Sequence, residues 1–414
     1  MNEYINNVSR RREQLKEALS RLHQGTPLEE LRAEFADVLQ NASASEVAQI
    51  EQDLIEEGLP VEDIQNLCDV HVALFRAGLD KEPTPDMLPG HPIYTFRSEN
   101  ELAALVLNEV RAALINFKVD PSVEVRGKLT QKLQKLTDFE KHYARKEHNL
   151  FPYLERYGFS GPSSVMWGIH DDIRKGWKSM LAILESAAPA TQFMAADLEK
   201  IFAGVENAMR EMFYKEEHIL FPAALERLTP KDWREIYDQE SEIGFAYVSR
   251  GSQWVAGFTA PSPENQLKLD QDQPGKESAM TNVPLKTGAL SPEQLSLMLT
   301  TLPFDIAFVD ETDTVLFYSE TKERIFRRTP AVIGRKVQKC HPPASVDKVV
   351  RILEDFRSGK RDVAEFWIQM NGRFIYISYY AVRDEQGSYR GTLEVTQDLT
   401  HLRALQGERR LLED

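Results

Sequence analysis

A short segment occurs twice in this chain, with the two copies seventy residues apart. Residues 142–152 read HYARKEHNLFP and residues 212–222 read MFYKEEHILFP, so Glu-His precedes Leu-Phe-Pro in both. Both copies lie in sequence whose apolar residues recur at helical spacing, and such helices present their repeated side chains at matching heights. The repeat therefore predicts two helices of one bundle that place polar side chains at the same level.

Long helical patterns surround this repeat. Turn signals separate them at Asp120-Pro121, at residues 158–162 and at Pro189. Four long helices joined by short connections are typical of an up-down four-helix bundle. The predicted helices cover about residues 97–118, 122–157, 163–186 and 193–227.

Histidine and glutamate side chains accompany each of these helices. Imidazole nitrogens, together with carboxylates that can bridge or chelate, are the ligands with which helical bundles hold iron or manganese. For any one of the histidines, a solvated or capping role is the alternative. The predicted metal ligands are His91, His142, Glu147, His148, His170, Glu216, Glu217 and His218.

The bundle is expected over residues 88–228. The regions on its two sides differ from it and from each other. Residues 7–80 carry apolar residues at helical spacing, which predicts a small all-helical domain. Residues 251–289 are predicted to be a flexible linker, because the segment is rich in polar residues and proline and poor in apolar residues.

Beyond residue 289 the pattern changes to short β-branched and aromatic runs separated by turn signals such as Asn371-Gly372. Helical stretches near 291–302 and 345–359 accompany them. An α+β domain with an antiparallel sheet is predicted over 290–402, followed by a charged C-terminal helix over 403–414. The predicted fold class is therefore multidomain and mainly α, with this α+β domain at its C-terminal end.

A separate candidate site lies in the motif Lys-Cys-His-Pro-Pro of the C-terminal domain. Cys340 and His341 are donor types suited to haem iron or another metal, and they are the predicted cofactor-binding residues there. The alternative is a loop fixed by two prolines with a buried thiol.

Composition and charge exclude several functions. A net charge of −15 and a pI near 5.2 disfavour a nucleic-acid partner or an anionic membrane surface, because phosphates would be repelled. We find neither a signal peptide nor an apolar run long enough to span a membrane. Cys68 and Cys340 cannot form a disulfide framework, which favours a reducing cytoplasm. Common phosphate-binding, kinase, hydrolase and zinc-protease motifs are absent from the sequence, and no enzymatic activity is assigned.

These features resemble three known domain families in a particular order. Residues 91–225 resemble a hemerythrin-type HHE cation-binding domain, in which histidines and carboxylates from four helices hold a non-haem di-iron centre. Residues 290–402, with FVDETDTVLFYS and the ending EVTQDLT, are similar to a PAS domain. Residues 7–80, with LIEEGLPVEDIQNLCDVH, resemble the DUF438 domain that often precedes such HHE-PAS pairs.

The resemblance implies a ligand set that departs from the family pattern. His91, His142 and His170 match family histidines of the first three helices, and Glu147 or Glu216 is expected to bridge. The family often has a glutamate four residues after the second-helix histidine, and this chain has Lys146 at that position. Met212 stands where the family has its fourth-helix histidine, and Arg174 stands where some relatives have another histidine. These departures imply an altered di-iron centre, or a single metal with His148 and His218 as substitutes, rather than a reversible dioxygen carrier.

The resemblance as a whole implies a cytoplasmic signalling or redox-sensing protein. Non-haem iron, or another metal, would respond to oxygen, nitric oxide or iron supply. The PAS domain would hold a small ligand or haem, or provide the contact of a homodimer, and output would pass to an unknown protein partner. Two alternatives are a di-iron protein of iron-sulfur cluster repair or iron handling, and a metal-free interaction scaffold.

Overall fold

A computed structural model of the chain contains two compact units, an N-terminal helical one and a C-terminal one built on a sheet. The predicted fold class is confirmed, since the first is mainly helical and the second contains an antiparallel sheet. None of the described helices has the length and hydropathy of a membrane span. The structure describes residues 2–60, 63–64, 70, 73–76, 88–186, 191–251, 254, 283–321 and 324–407.

The N-terminal helices bury the apolar residues that recur at helical spacing in the sequence, among them Leu15, Leu19 and Ile50. A capping box starts the fourth helix, where the Ser43 hydroxyl accepts from the Glu46 amide and Glu46 accepts from the Ser43 amide. The end of the domain predicted over 7–80 lies outside the described residues. The helices are α1 (Asn2–His23), α2 (Leu28–Glu34), α3 (Ala36–Leu39) and α4 (Ala44–Glu56).

Long helices form the bundle, and polar caps fix where they begin. The hydroxyls of Ser122, Thr191 and Thr229 accept from amides of the first turns that follow them. Helix α4 packs against this bundle, and the Gln52 amide oxygen accepts from the backbone N–H of Ser160 at 3.1 Å. The elements are α5 (Pro92–Val119), α6 (Val123–Thr137), α7 (Glu140–Arg145), α8 (Phe151–Arg156), α9 (Gly161–Glu185), α10 (Gln192–Lys215), α11 (Phe221–Arg227) and α12 (Pro230–Ile243).

Both copies of the repeated segment contain a turn of π-helix at the same place. The first π-turn (Lys146–Leu150) joins α7 to α8, and the second (Glu216–Leu220) joins α10 to α11. Pro152 and Pro222 follow them at equivalent positions. A proline inside a helix clashes with the carbonyl four residues earlier and donates no hydrogen bond, so a widened turn relieves the strain. The repeated Leu-Phe-Pro thus explains the repeated π-turn.

The C-terminal unit is a five-stranded antiparallel sheet, with strand order β4-β3-β7-β6-β5 within the described residues. A two-residue loop of Asn371 and Gly372, both with positive φ, connects β5 to β6, as the Asn-Gly pair predicted. The elements are β1 (Val283–Leu285), β2 (Gly288–Leu290), α13 (Pro292–Thr301), β3 (Asp305–Asp310), β4 (Val315–Tyr318), α14 (Pro343–Arg357), β5 (Val363–Met370), β6 (Arg373–Arg383) and β7 (Tyr389–Asp398).

Two predicted segments fall only in part on described residues. Of the linker expected over 251–289, the last residues pair in the exposed hairpin β1-β2. Of the helix expected over 403–414, the described part contains a short 3-10 turn at Leu402–Ala404 and no α-helix. The other residues of both segments lie outside the part of the chain that the structure describes.

Candidate metal centre

The first residues of the two π-turns meet in the core of the bundle. The Lys146 ammonium donates to Glu216 Oε1, and both side chains are fully buried. The Asn100 amide of α5 donates to Glu216 Oε2 at 2.7 Å. Because the repeat places these residues at equivalent positions, the bundle brings a cation of one copy onto an anion of the other.

His142 lies between two buried carboxylates. Its Nδ1 is 2.9 Å from Glu99 Oε2 and its Nε2 is 3.1 Å from Glu216 Oε2. Glu99 also accepts from the Arg145 guanidinium and, at 2.7 Å, from the backbone N–H of Ala246. Both ring nitrogens of His142 and both oxygens of Glu99 therefore already have protein partners.

A second group of polar side chains lies on α9 and the first π-turn. His170 Nδ1 is 2.7 Å from Glu147 Oε1, so Glu147 is paired with His170 rather than with His142. Arg174 Nη1 and Nη2 donate to the two oxygens of Glu147, each at 2.9 Å, which is the bidentate geometry of a strong guanidinium-carboxylate pair. The same guanidinium donates to Glu140 from Nε at 2.8 Å.

One imidazole nitrogen of this group remains unused. His170 Nε2 is buried and has no hydrogen-bond partner among the described residues, and the same is true of the Tyr143 hydroxyl. The Tyr143 ring stacks on the His170 ring with centroids 4.2 Å apart. Burial and the nearby Lys146 and Arg174 lower the pKa of His170 well below its ordinary value, so this imidazole is neutral near pH 7.

Burial and neighbouring charge act on the two π-turn carboxylates with different results. Burial disfavours the charged form of Glu216, yet Lys146 and His142 outweigh it and lower the pKa of Glu216 to about 2. Burial of Glu147 outweighs its pairing with Arg174 and raises the pKa of Glu147 to about 7. Glu216 is thus a permanent anion, whereas Glu147 titrates near neutrality.

Three carboxylates of the centre each have a protein cation beside them. The pairs are Glu99 with Arg145, Glu216 with Lys146 and Glu147 with Arg174. Two divalent metal ions would add four positive charges next to three carboxylates that protein cations already occupy, and placing further positive charge beside buried cations is costly. In the part of the chain that the structure describes, no three His, Cys, Asp or Glu side chains are grouped so as to hold a metal ion. In this arrangement the residues do not fit a two-metal centre.

The remaining predicted ligands have other contacts. His91 caps α5 by accepting from the Ile93 amide at 3.2 Å, and its ring contacts Trp233 at a centroid distance of 4.7 Å. Burial lowers the pKa of His91 to about 4. Glu217 pairs with Arg97 at 2.7 Å. The half-buried rings of the two remaining histidines lie against aromatic rings, His148 against Trp167 and His218 against Tyr214.

Sequence reasoning missed several residues of the centre. Glu99 lies between Phe96 and Ala103 on the buried face of α5, and a carboxylate at a core position of an apolar helix face was the available signal. Glu240 of α12 is fully buried 3.7 Å from Arg145, and burial raises the pKa of Glu240 to about 7. No signal for α12 was recognised, because the helical pattern weakens after Trp233.

The C-terminal unit contains a partly open cavity of about 170 Å³. His341 lies at its wall, and its Nδ1 donates to the Val337 carbonyl oxygen at 2.8 Å. Cys340 instead packs against the buried cluster that includes Val315 and Leu353. The cavity is lined by Val309, Val337, His341, Ser345, Lys348, Val349, Ile352, Leu353, Phe366, Ile377, Tyr379, Thr392 and Glu394.

Comparisons with known families agree with this architecture. The DUF438 family of unknown function matches residues 15–81, the hemerythrin HHE cation binding domain matches residues 91–224 and a PAS domain model matches residues 295–400. The chain is therefore a DUF438-HHE-PAS protein, with the three domains in the predicted order. An HHE domain implies cation binding, typically of iron, and together with a PAS domain it supports a metal-binding sensory or signalling protein in general terms.

Several solved structures are similar to part of the chain. The C-terminal domain of a Streptococcus mutans protein is 40% identical, with 30% of this chain and 96% of that chain covered and a TM-score of 0.29. The PAS domain of Bordetella pertussis BvgS is 19% identical, with 26% and 85% covered and a TM-score of 0.23. A sensory box sensor histidine kinase from Vibrio cholerae is 15% identical, with 26% and 89% covered and a TM-score of 0.21. No curated protein matches the chain.

Proposed function

We propose that this chain is a cytoplasmic signalling protein whose input is a small molecule bound in the cavity of its PAS domain and whose output passes to a protein partner. The cavity is the observation that carries the proposal. At about 170 Å³ it is close in size to engineered protein cavities of roughly 150 Å³ that take up benzene. A ligand about the size of benzene matches this volume, and haem is much larger than benzene.

The cavity wall combines an apolar surface with a few polar groups, as ligand pockets do. Because His341 Nδ1 carries the proton that it donates to Val337, Nε2 is a hydrogen-bond acceptor. Burial lowers the pKa of His341, which keeps the imidazole neutral. Glu394 is a second acceptor at the wall. A ligand that donates one or two hydrogen bonds suits these groups.

The charge at the cavity wall favours a neutral ligand over a cation. Glu394 pairs with the buried Arg328 at 2.9 Å, so the carboxylate already has a counter-charge. Burial and the negative charge of Glu394 raise the pKa of Tyr379, whose hydroxyl therefore stays protonated. The ligand class is thus a small, neutral, largely apolar molecule with a hydrogen-bond donor.

Thermal unfolding of the full chain with a panel of small aromatic donors, phenol and indole among them, tests this proposal. Ligands that fit should raise the melting temperature of the PAS domain, and Ile352→Trp, which fills the cavity, should abolish the rise. Glu354→Gln on the exposed side of the same helix is the control and should bind normally. A shift that persists in Ile352→Trp would place the ligand elsewhere and refute the proposal.

A metal-dependent response of the bundle to oxygen, nitric oxide or iron is the second candidate function. The observation in its favour is the unpartnered and buried His170 Nε2, which is the type of nitrogen that binds iron. The pairing of Glu147 with Arg174 and of Glu216 with Lys146 opposes it. Optical spectra of anaerobically purified protein, before and after nitric oxide, would reveal an iron-nitrosyl band if this function is present.

A further inference from the structure

The two copies of the repeat place opposite charges at one position. Lys146 and Glu216 are the first residues of their π-turns, and both side chains are fully buried. A bundle with carboxylates at both positions would hold two anions face to face, which favours a bound cation or a shared proton between them. Here the first copy supplies the cation itself.

The Lys146 ammonium is held by groups that would otherwise be donors to a metal ion. It donates to Glu216 Oε1, while Glu216 Oε2 is 3.1 Å from His142 Nε2. Its ammonium also lies 4.9 Å from the centroid of the Tyr143 ring, which gives a cation-π contact. The carboxylate, the imidazole and the aromatic ring together form a site for one buried cation.

Arg174 plays the corresponding part on the other side of the centre. Its guanidinium covers both oxygens of Glu147, whose Oε1 is also 2.7 Å from His170 Nδ1. A carboxylate and an imidazole are again arranged around a protein cation. The guanidinium also lies over the Tyr143 ring, at 5.9 Å from the centroid.

We infer that Lys146 and Arg174 are built-in cations that neutralise this centre in place of two metal ions, so that the HHE bundle of this chain folds without a resident metal. Each cation replaces a metal charge at one carboxylate-imidazole pair, Glu216-His142 or Glu147-His170. Such a centre has no redox-active ion, and its positive charges come from side chains of the sequence. The inference concerns the bundle alone and does not depend on the ligand of the PAS cavity.

A double-mutant cycle with metal analysis tests this inference on the full chain. The variants are Lys146→Met, Glu216→Gln and the two combined, each compared with the wild-type chain by thermal unfolding. Removing one partner of a buried ion pair leaves the other uncompensated, so each single change should lower the melting temperature of the bundle by roughly 10 °C. The combined change removes both charges and should recover at least half of that loss.

Metal content distinguishes a bundle that folds without a metal from one that holds a resident metal. The wild-type chain should retain no stoichiometric iron, manganese or zinc, and EDTA should leave its melting temperature unchanged. Lys178 is an exposed lysine on α9, so Lys178→Met controls for the loss of a lysine as such and should behave as wild type. Two metal ions per wild-type chain, or losses that simply add in the double variant, would overturn the inference. The wild-type metal measurement decides the matter even if Lys146→Met fails to fold.

Discussion

In the copy of the repeat at 142–152 the π-turn begins with a cation, Lys146, whereas in the copy at 212–222 it begins with an anion, Glu216. The backbone is the same in both, because Pro152 and Pro222 impose the same widened turn. The side chains at the start of that turn differ in sign and bind each other. The comparison teaches that Leu-Phe-Pro determines the backbone shape of each copy, while the residue four positions before it, Lys146 or Glu216, determines the sign of the charge that the copy places in the core.

The next position of the repeat also differs between the copies. The Glu147 side chain is 3% exposed and pairs with Arg174, whereas the Glu217 side chain is 21% exposed and pairs with Arg97. Each copy therefore contributes one carboxylate to the interior, Glu147 from the first copy and Glu216 from the second. The two copies are equivalent in backbone and unequal in the charge that they bring to the core.

Making the copies symmetric should have the largest effect. Lys146→Glu combined with Met212→His gives both helices a histidine followed four residues later by a glutamate. Without metal, the second buried anion should cost about 5 kcal/mol of the free energy of unfolding. Added Zn²⁺ or Mn²⁺ should restore much of it, since a bound ion stabilises the fold. Chemical denaturation with and without the ion measures both effects, and a variant as stable as wild type without metal would contradict the prediction.

Removing Arg174 should give a loss that depends on pH. In Arg174→Gln the buried Glu147 carboxylate has no guanidinium, which should cost about 3 kcal/mol at pH 8. Because the pKa of Glu147 is about 7, this group is protonated in both proteins at pH 5, so its part of the cost should almost vanish there and only the lost pairing of Arg174 with the exposed Glu140 should remain, at about 1 kcal/mol or less. Lys175→Gln, which breaks the exposed pair with Asp172, is the control and should cost at most about 1 kcal/mol at either pH.

Glu240→Gln should stabilise the protein at alkaline pH. The pKa of Glu240 is raised from 4.5 to about 7 by burial, so the folded state binds the proton more tightly than the unfolded state. The stability from this group is complete below about pH 4.5 and is lost as pH rises through 7. The substitution should therefore gain about 1–3 kcal/mol at pH 8 and nothing at pH 4. Unfolding curves at both pH values measure this, with the exposed Glu226→Gln as control; a gain at pH 4 would refute the assigned pKa.

Substituting the histidines that precede Leu-Phe-Pro should have the smallest effect. His148→Gln and His218→Gln each remove an aromatic contact of a half-buried ring, worth about 1 kcal/mol or less. Neither should change metal content, which mass spectrometry of the purified proteins measures. If the wild-type chain contained a metal and either substitution removed it, the substituted histidine would be a metal ligand and the prediction would be wrong.

The architecture was largely predictable from the sequence, because it rests on periodicity and on turns. Apolar spacing predicted the bundle helices, and Asn371-Gly372 predicted the hairpin turn. The extra helix α12 was missed because its helical pattern weakens after Trp233, although Thr229-Pro230 marks its start.

Part of the buried polar centre was predictable in its residues, but the pairing of those residues was not. His142, Glu147, His170 and Glu216 do come together, yet ideal α-helical geometry could not show where Glu147 points once a π-turn begins at Lys146. Its partners His170 and Arg174 lie on another helix, and local spacing carries no information about them. Whether His91, Glu217, His148 and His218 ever bind a metal stays a prediction.

The most direct measurement is calorimetric titration of the wild-type chain, stripped of metal, with Fe²⁺ under anaerobic conditions and with Zn²⁺, followed by thermal unfolding of each mixture. With Lys146 and Arg174 as the cations of the centre, no saturable site of one or two ions per chain should appear, and the melting temperature of the bundle should not change. Binding of two ions per chain with a rise of several degrees would contradict the claim that protein cations have taken the place of the metal.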